Sequence, residues 1–148
     1  MIVSASAPAL RISLVTLGVE DVNRAARFYE ALGMKRHMKN AEGVAFFDAG
    51  GAALSLYGRK ALAKDAGLGD PPRGSGSATL AFNVESESAV EDALNAAAKA
   101  GGKILKPAYR VFWGGYIGYF ADPDGHVWEV AHNPGFAFDE RGLIVLPE

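Results

Sequence analysis

An internal repeat constrains this sequence more than any other feature. Each half has the pattern of a strand, a capped helix, a glycine that ends the helix, and short strands joined by a glycine-bearing turn. The first strands span residues 12–19 and 77–84, and the turns span 48–51 and 122–125. The second half is longer because it carries extra residues near 107–115. The repeat predicts an α+β chain built from two similar modules.

The helix of each half is predicted from its capping residues and from the spacing of its apolar positions. In the first half, Asp21 is the predicted N-cap and Gly33 the residue that ends the helix. In the second half, Ser88 and Glu91 have the S-x-x-E spacing of a capping box, and a glycine pair follows the helix.

The repeat divides the chain into five segments. We expect an N-terminal leader at 1–10, a first module at 11–58, a linker at 59–76, a second module at 77–135 and a C-terminal tail at 136–148. The linker is predicted from its glycine, proline and charge content. The leader lacks the basic region that begins a signal peptide, which favours a cytoplasmic protein.

The composition excludes several classes of protein. The sequence contains no cysteine, so disulfides, thiolate catalysis and cysteine-ligated metals are excluded. Its 15 basic and 17 acidic residues give a net charge of −2, which does not suit a nucleic-acid-binding protein. No apolar run approaches the roughly 20 residues of a membrane span. We therefore expect no nucleic-acid partner and no membrane partner.

Four segments carry a resemblance to a known superfamily. They are Leu-Gly-Val-Glu-Asp at 17–21, Arg-Phe-Tyr-Glu-Ala-Leu-Gly at 27–33, Ala-Phe-Asn-Val at 81–84 and Tyr-Phe-Ala-Asp-Pro-Asp-Gly-His-Val-Trp-Glu at 119–129. With them, the chain resembles the vicinal oxygen chelate superfamily of glyoxalases, bleomycin-resistance proteins and extradiol dioxygenases. The resemblance implies two tandem βαβββ modules that form curved mixed sheets around a cavity, with the helices on the outer face. It also implies a homodimer.

The resemblance further implies four metal-ligand positions, one in the first and one in the last strand of each module. These positions are occupied by Leu14, Ser55, Thr79 and Glu129. Only Glu129 is a good ligand for a divalent metal. A catalytic zinc site needs about three protein ligands, and a non-haem iron site needs two histidines and a carboxylate. We therefore expect no cofactor, and a bound divalent metal is the alternative.

The three histidines are not expected to replace the missing ligands. His37 is expected on the surface and His126 is expected to be an exposed residue of the last turn. His132 lies three residues after Glu129, so on a regular strand it faces the opposite side of the sheet.

Glu129 is the candidate catalytic residue. A carboxylate in an apolar trough has a raised pKa unless a hydrogen-bond donor meets it, and Ser55 and Thr79 are candidate donors. A glutamate with a raised pKa is suited to act as a general base next to a carbonyl group. The alternative is a structural acid bonded to a neighbouring hydroxyl.

The predicted substrate pocket combines the four ligand positions with aromatic and basic residues. Arg110 is suited to bind an anionic group, and the aromatic segment at 109–116 is suited to flat or apolar molecules. Trp113 has a second interpretation, as a core residue or as an anchor of the dimer. The predicted pocket residues besides Glu129 are Leu14, Ser55, Tyr57, Thr79, Arg110, Trp113 and Tyr116.

Three functions remain open at this point. The first is a glyoxalase-like protein that lacks the full metal-ligand set and binds a small apolar or aromatic compound in the cavity between the modules. The second is a metal-dependent lyase or dioxygenase of the same superfamily. The third is a drug-sequestering protein of the bleomycin-resistance type. Whether the chain is an enzyme stays open, because the fold alone does not determine function.

Overall fold

The computed structural model describes residues 9–69, 74 and 77–148. The expected leader at 1–10 lies outside the described residues except for its last two positions, and so does part of the expected linker. In the described ranges, no helix combines the length and the apolar character needed to cross a membrane.

The first module is a four-stranded sheet with one long helix. Its elements are β1 (Leu14–Val19), α1 (Val22–Ala31), β2 (Arg36–His37), β3 (Val44–Asp48) and β4 (Ala53–Gly58). The strand order is β1-β4-β3-β2, with β1 parallel to β4 and antiparallel pairing elsewhere. The Asp21 carboxylate accepts a hydrogen bond from the Arg24 amide, so the predicted cap of α1 is confirmed.

The segment between the modules begins with a short helix that the sequence did not indicate. This helix, α2, spans Arg59–Asp65 and starts directly after β4, at Gly58, without a side-chain cap. A Cβ atom added to Gly18 would lie only 3.0 Å from the Cβ atom of Arg59, so α2 approaches β1 closely at this glycine. The position of this helix is therefore set by tertiary packing and not by a local capping signal.

The second module repeats the architecture of the first. Its elements are β5 (Leu80–Asn83), α3 (Glu87–Lys99), β6 (Lys103–Arg110), β7 (Tyr116–Ala121) and β8 (Val127–His132). The strand order is β5-β8-β7-β6, and β5 is parallel to β8. The predicted α+β fold of two βαβββ units with mixed sheets is therefore confirmed.

Helix α3 begins two residues earlier than the capping box predicts. Ser86 is the N-cap, because its hydroxyl oxygen accepts a hydrogen bond of 3.1 Å from the Ala89 amide. The Ser88 side chain lies within the helix, and its hydroxyl contacts that of Ser86. The prediction of Ser88 as the cap is wrong, since the helix starts at the earlier of two serines with similar surroundings.

The tail after β8 forms a small hairpin. Strands β9 (Ala137–Phe138) and β10 (Ile144–Val145) pair in antiparallel orientation. A Cβ atom on Gly50 would lie 2.6 Å from a methyl carbon of Leu143, so the hairpin packs on the turn between β3 and β4.

Helix α1 lies between the two sheets. The ring of Phe28 contacts Phe120 of β7, with centroids 6.2 Å apart. The ring of Tyr29 lies 6.1 Å from Phe47 of β3 and 6.0 Å from Trp128 of β8. The faces of the two sheets that are turned away from α1 therefore point away from each other and do not close one cavity within the chain. Helix α1 lies between the sheets, and not on the outer face that the resemblance implied.

Polar contacts at the same place join the modules. The buried Tyr29 hydroxyl donates to Asp122 at 2.6 Å and accepts from Trp128 Nε1 at 3.1 Å. Burial and the Asp122 carboxylate raise the pKa of the Tyr29 phenol. His126 is also buried, and its Nε2 atom lies 2.7 Å from the carbonyl oxygen of Gly18. The prediction of an exposed His126 is wrong, because its turn packs against the end of β1.

Candidate functional site

Glu129 lies on the helix-free face of the second sheet. On β8 it alternates with Trp128 and Val130, which belong to or pack against the core. Its partner across the antiparallel pair is Tyr119 of β7, whose hydroxyl donates a 2.7 Å hydrogen bond to Glu129 Oε2. Among the described residues, none donates a hydrogen bond to Oε1 of Glu129.

The donor to Glu129 stays protonated well above neutral pH. The hydrogen bond to Glu129, helped by partial burial and by the carboxylate charge, raises the pKa of Tyr119 to about 12. The hydroxyl that donates to the carboxylate therefore belongs to Tyr119. It does not belong to Ser55 or Thr79, the two candidate donors.

Two residues of β6 complete this face. Lys106 pairs in register with Tyr119, and Tyr109 pairs with Ile117. The Lys106 ammonium lies 3.9 Å from the centroid of the Tyr109 ring, a cation–π contact. We call the four residues Lys106, Tyr109, Tyr119 and Glu129 the acidic–phenolic face. It carries a carboxylate, two phenols and one ammonium group.

The corresponding face of the first sheet has a different chemistry. Ser55 is buried, and its hydroxyl lies 2.5 Å from the hydroxyl of its strand partner Thr16. Leu14 is half exposed on the same strand as Thr16. The Tyr57 hydroxyl donates to Asp65 of α2, and this bond raises the pKa of Tyr57. Neutral and apolar groups thus occupy the two ligand positions of this module.

The predicted residues of the second module do not gather around Glu129. Thr79 is exposed directly before β5. Arg110 makes two hydrogen bonds to Glu87, of 2.5 and 2.8 Å, and Tyr116 donates to Glu91. These two residues therefore face the start of α3.

Trp113 lies in the turn between β6 and β7 and is 46% exposed. Of the predicted pocket residues, the structure brings none into hydrogen-bonding contact with Glu129. Ser55 and Glu129 lie on the faces of their sheets that are turned away from α1, and these faces point in opposite directions. The four ligand positions therefore do not meet within one chain.

The residues at these positions do not fit the metal that the superfamily resemblance implies. Leu14 has no donor atom, the hydroxyl of Ser55 is engaged by Thr16, and Thr79 offers a neutral hydroxyl. Among the residues that the structure describes, no group of three or more histidine, aspartate or glutamate side chains is placed to hold a metal ion.

Tyr119 and Lys106 were missed by sequence reasoning, although a signal for Tyr119 was present. The turn at 122–125 joins two antiparallel strands, and counting outward from its ends places Tyr119 opposite Glu129. No comparable signal located Lys106, because the β6–β7 register shifts on both sides of that residue.

A cavity of about 600 Å³ lies between the modules, on the helix side of both sheets. Its walls come from both modules and from the C-terminal hairpin. Trp128 and Phe120 line it, whereas Glu129 and the other predicted pocket residues do not. The chain therefore has a cavity between its modules, with a lining different from the one predicted.

Two βαβββ modules with one parallel strand pair each, and an acidic residue on the last strand, define a protein of the glyoxalase fold. The chain belongs to the Glyoxalase/Bleomycin resistance protein/Dioxygenase superfamily, whose family model matches residues 11–130. The resemblance carried by the sequence motifs is thus confirmed.

Solved structures support the same assignment. A glyoxalase-related enzyme from Fulvimarina pelagi is 33% identical, with a TM-score of 0.87, and the match covers 95% of this chain and 100% of that one. A glyoxalase/bleomycin resistance protein/dioxygenase family enzyme from Burkholderia phytofirmans is 21% identical, with a TM-score of 0.73 and coverage of 81% and 96%. A lactoylglutathione lyase from Agrobacterium tumefaciens is 21% identical, with a TM-score of 0.61 and coverage of 86% and 96%. The last two show the fold alone. No curated protein matches the chain.

Proposed function

We propose that this chain binds a small apolar or aromatic compound on the acidic–phenolic face, and that it does so without the full metal-ligand set of its superfamily. The observation that carries the proposal is the 2.7 Å hydrogen bond from Tyr119 to Glu129. It holds the carboxylate in one orientation and leaves the Oε1 atom for a polar group of the ligand. The Tyr109 and Tyr119 rings provide flat apolar surface beside it.

The same arrangement suits proton transfer. In this step Glu129 would take a proton from a carbon next to a carbonyl group of the bound compound, and the C–H electron pair would pass into the carbonyl to give an enolate. The protonated Glu129 would then return the proton to the enolate. Tyr119 stays a donor throughout this step, because its pKa of about 12 keeps the phenol protonated at neutral pH. The proposal thus has two alternatives: the chain is an enzyme in which Glu129 is catalytic, or it binds the compound without reaction.

A second copy of the chain is the proposed partner that pairs with the sheet edges. Strands β1 and β5 stand at the ends of their sheets. Each exposes a large apolar side chain, Leu14 at 51% and Phe82 at 44%. Unpaired edges with apolar side chains are normally covered. Pairing of such edges in a homodimer would place the first sheet of one copy beside the second sheet of the other. The proposed location of this homodimer is the cytoplasm.

The proposal is tested with two matched pairs of variants. Glu129→Gln and Tyr119→Phe alter the proposed site, whereas Glu91→Gln and Tyr116→Phe alter a second tyrosine–glutamate pair at the start of α3. A library of small aromatic and apolar compounds is screened by thermal shift on protein without added metal. For compounds that stabilise the wild type, we expect Glu129→Gln to weaken binding by about tenfold and Glu91→Gln to leave it unchanged.

Unchanged affinity in Glu129→Gln for every compound that stabilises the wild type would contradict the proposal. The two alternatives give other results in the same experiments. Stoichiometric zinc, nickel, iron or manganese in untagged protein would favour a metal-dependent lyase or dioxygenase. Tight binding of cationic drugs without turnover would favour sequestration of the bleomycin-resistance type.

A further inference from the structure

The cavity between the modules is separate from the acidic–phenolic face. It lies on the helix side of both sheets, and none of Lys106, Tyr109, Tyr119 and Glu129 lines it. Its floor includes the rings of Tyr29, Phe120 and Trp128. Its other walls include residues of α3, of β5, of the turn between β3 and β4 and of the C-terminal hairpin. Because the two sites share no residue, they are tested independently.

Small side chains keep this cavity open. Helix α3 presents Ala93 and Ala96 to it, and the turn between β3 and β4 contributes Gly50 and two alanines, with a third at the start of β4. Protein interiors are normally packed without voids larger than a water molecule. A space of about 600 Å³ falls within the range of about 300 to 1,000 Å³ that small-molecule sites occupy.

The lining favours an uncharged ligand. Among the described residues that line the cavity, none has a charged side chain, and the polar ones are Tyr29, Asn83 and Trp128. The Tyr29 hydroxyl and the Trp128 Nε1 atom already bond to each other, and Tyr29 also bonds to Asp122. A ligand therefore meets an almost wholly apolar surface, where a charge would lose its hydration without gaining a partner.

The C-terminal hairpin forms one wall of the cavity. Phe138, Leu143 and Ile144 line it. The hairpin is seated on the first module, because the Leu143 side chain occupies the place where a Cβ atom of residue 50 would lie. Leu143 thus links the wall to the turn between β3 and β4.

From these observations we propose that the cavity between the modules is a second binding site, specific for an uncharged apolar small molecule of the size of a two- or three-ring aromatic compound. The ligand lies on the Tyr29, Phe120 and Trp128 rings, between α3 and the C-terminal hairpin.

Two fluorescent probes with the same skeleton test the proposal. N-phenyl-1-naphthylamine is uncharged, and 1-anilinonaphthalene-8-sulfonate carries one negative charge. We expect saturable binding of about one molecule of the uncharged probe per chain, and about tenfold weaker binding of the sulfonate, because no described wall residue offers a positive charge.

Matched variants locate the bound probe. Ala96→Phe fills the cavity, whereas Ala98→Phe places the same ring on an exposed position of the same helix. We expect Ala96→Phe to weaken binding of the uncharged probe by about tenfold or more, and Ala98→Phe to leave it unchanged. Ala96→Leu is a smaller change that serves if the phenylalanine variant does not fold. We expect it to weaken binding by an intermediate amount. Binding by Glu129→Gln equal to that of the wild type separates this site from the proposed function.

Two results would overturn the proposal. One is binding of the uncharged probe that Ala96→Phe and Ala96→Leu leave unchanged, which would place the probe elsewhere. The other is no saturable binding by wild type, together with a change in sedimentation mass in Ala96→Phe. That result would show that a second copy of the chain covers the cavity.

Discussion

Two tyrosines of β7 each bond to a glutamate, and the face of the sheet on which each tyrosine lies determines the role of the pair. Tyr116 and Tyr119 lie three residues apart, so their side chains point to opposite faces. Tyr116 bonds to Glu91 beside α3, and Tyr119 bonds to Glu129 on the helix-free face. The same two residue types thus form a structural pair on one face and the candidate site on the other.

Alternation along β8 was the part of the site that the sequence could predict. Trp128 has the opposite parity to Glu129, and it packs against the core. The alternation of side chains along a strand does not indicate which hydrogen-bond partners Arg110 and Tyr116 find. Arg110 and Tyr116 were assigned to the pocket from composition, but Glu87 and Glu91 of α3 attract them to the other side.

The raised pKa of Tyr119 predicts a change of stability at high pH. The ordinary pKa of a tyrosine is 10.0 and that of Tyr119 is about 12, so the folded state holds this proton more tightly. The resulting stabilisation is complete below pH 10 and is lost as the pH rises towards 12. We expect the free energy of unfolding to fall less steeply over this range in Tyr119→Phe than in the wild type.

Urea titrations at several pH values measure this slope. Tyr116→Phe measures the corresponding contribution of the other tyrosine–glutamate pair, because Glu91 also raises the pKa of Tyr116. An identical slope in the wild type and Tyr119→Phe would show that the hydrogen bond to Glu129 does not persist in solution.

At the scale of elements, the sequence predicted those with strong local signals. Helices α1 and α3 have apolar stripes and side-chain caps, and both were found. Helix α2 has no side-chain cap, strand β2 has only two residues, and β6 runs through the extra residues of the second half as far as Arg110. These elements depend on their neighbours, and local sequence does not report such contacts.

The start of α3 gives a prediction with a control two residues away. Ser86→Ala removes the acceptor of the Ala89 amide, and we expect a loss of about 1 kcal/mol in the free energy of unfolding. Ser88→Ala should cost clearly less, because Ser88 caps no amide in the structure. Urea unfolding followed by circular dichroism measures both. A larger loss in Ser88→Ala would restore Ser88 as the cap.

At the scale of the whole molecule, the repeat indicated two modules but not how they pack. Tyr29 of the first module is almost completely buried and bonds to Asp122 and Trp128 of the second. The sequence pattern of each half describes its own sheet and helix. It carries no direct information on which rings of one half contact the other.

This contact predicts a large effect of one oxygen atom. Tyr29→Phe leaves a buried Asp122 oxygen without its donor, and we expect a loss of about 1 to 3 kcal/mol in the free energy of unfolding. Tyr57→Phe removes a similar tyrosine–aspartate bond on the exposed surface, and its effect should be small. Thermal unfolding of the two variants compares them, and equal losses would argue against the buried contact.

The position of α1 between the sheets has a consequence for how such a duplicated chain can change over time. A substitution on this helix alters the surface on which both halves rest, so the two copies of the repeat cannot drift independently there. The faces turned away from α1 are released from this restraint. They can accumulate different residues without disturbing the common interior, and the contrast between Ser55 with Thr16 on one face and Glu129 with Tyr119 on the other is what such freedom would leave behind.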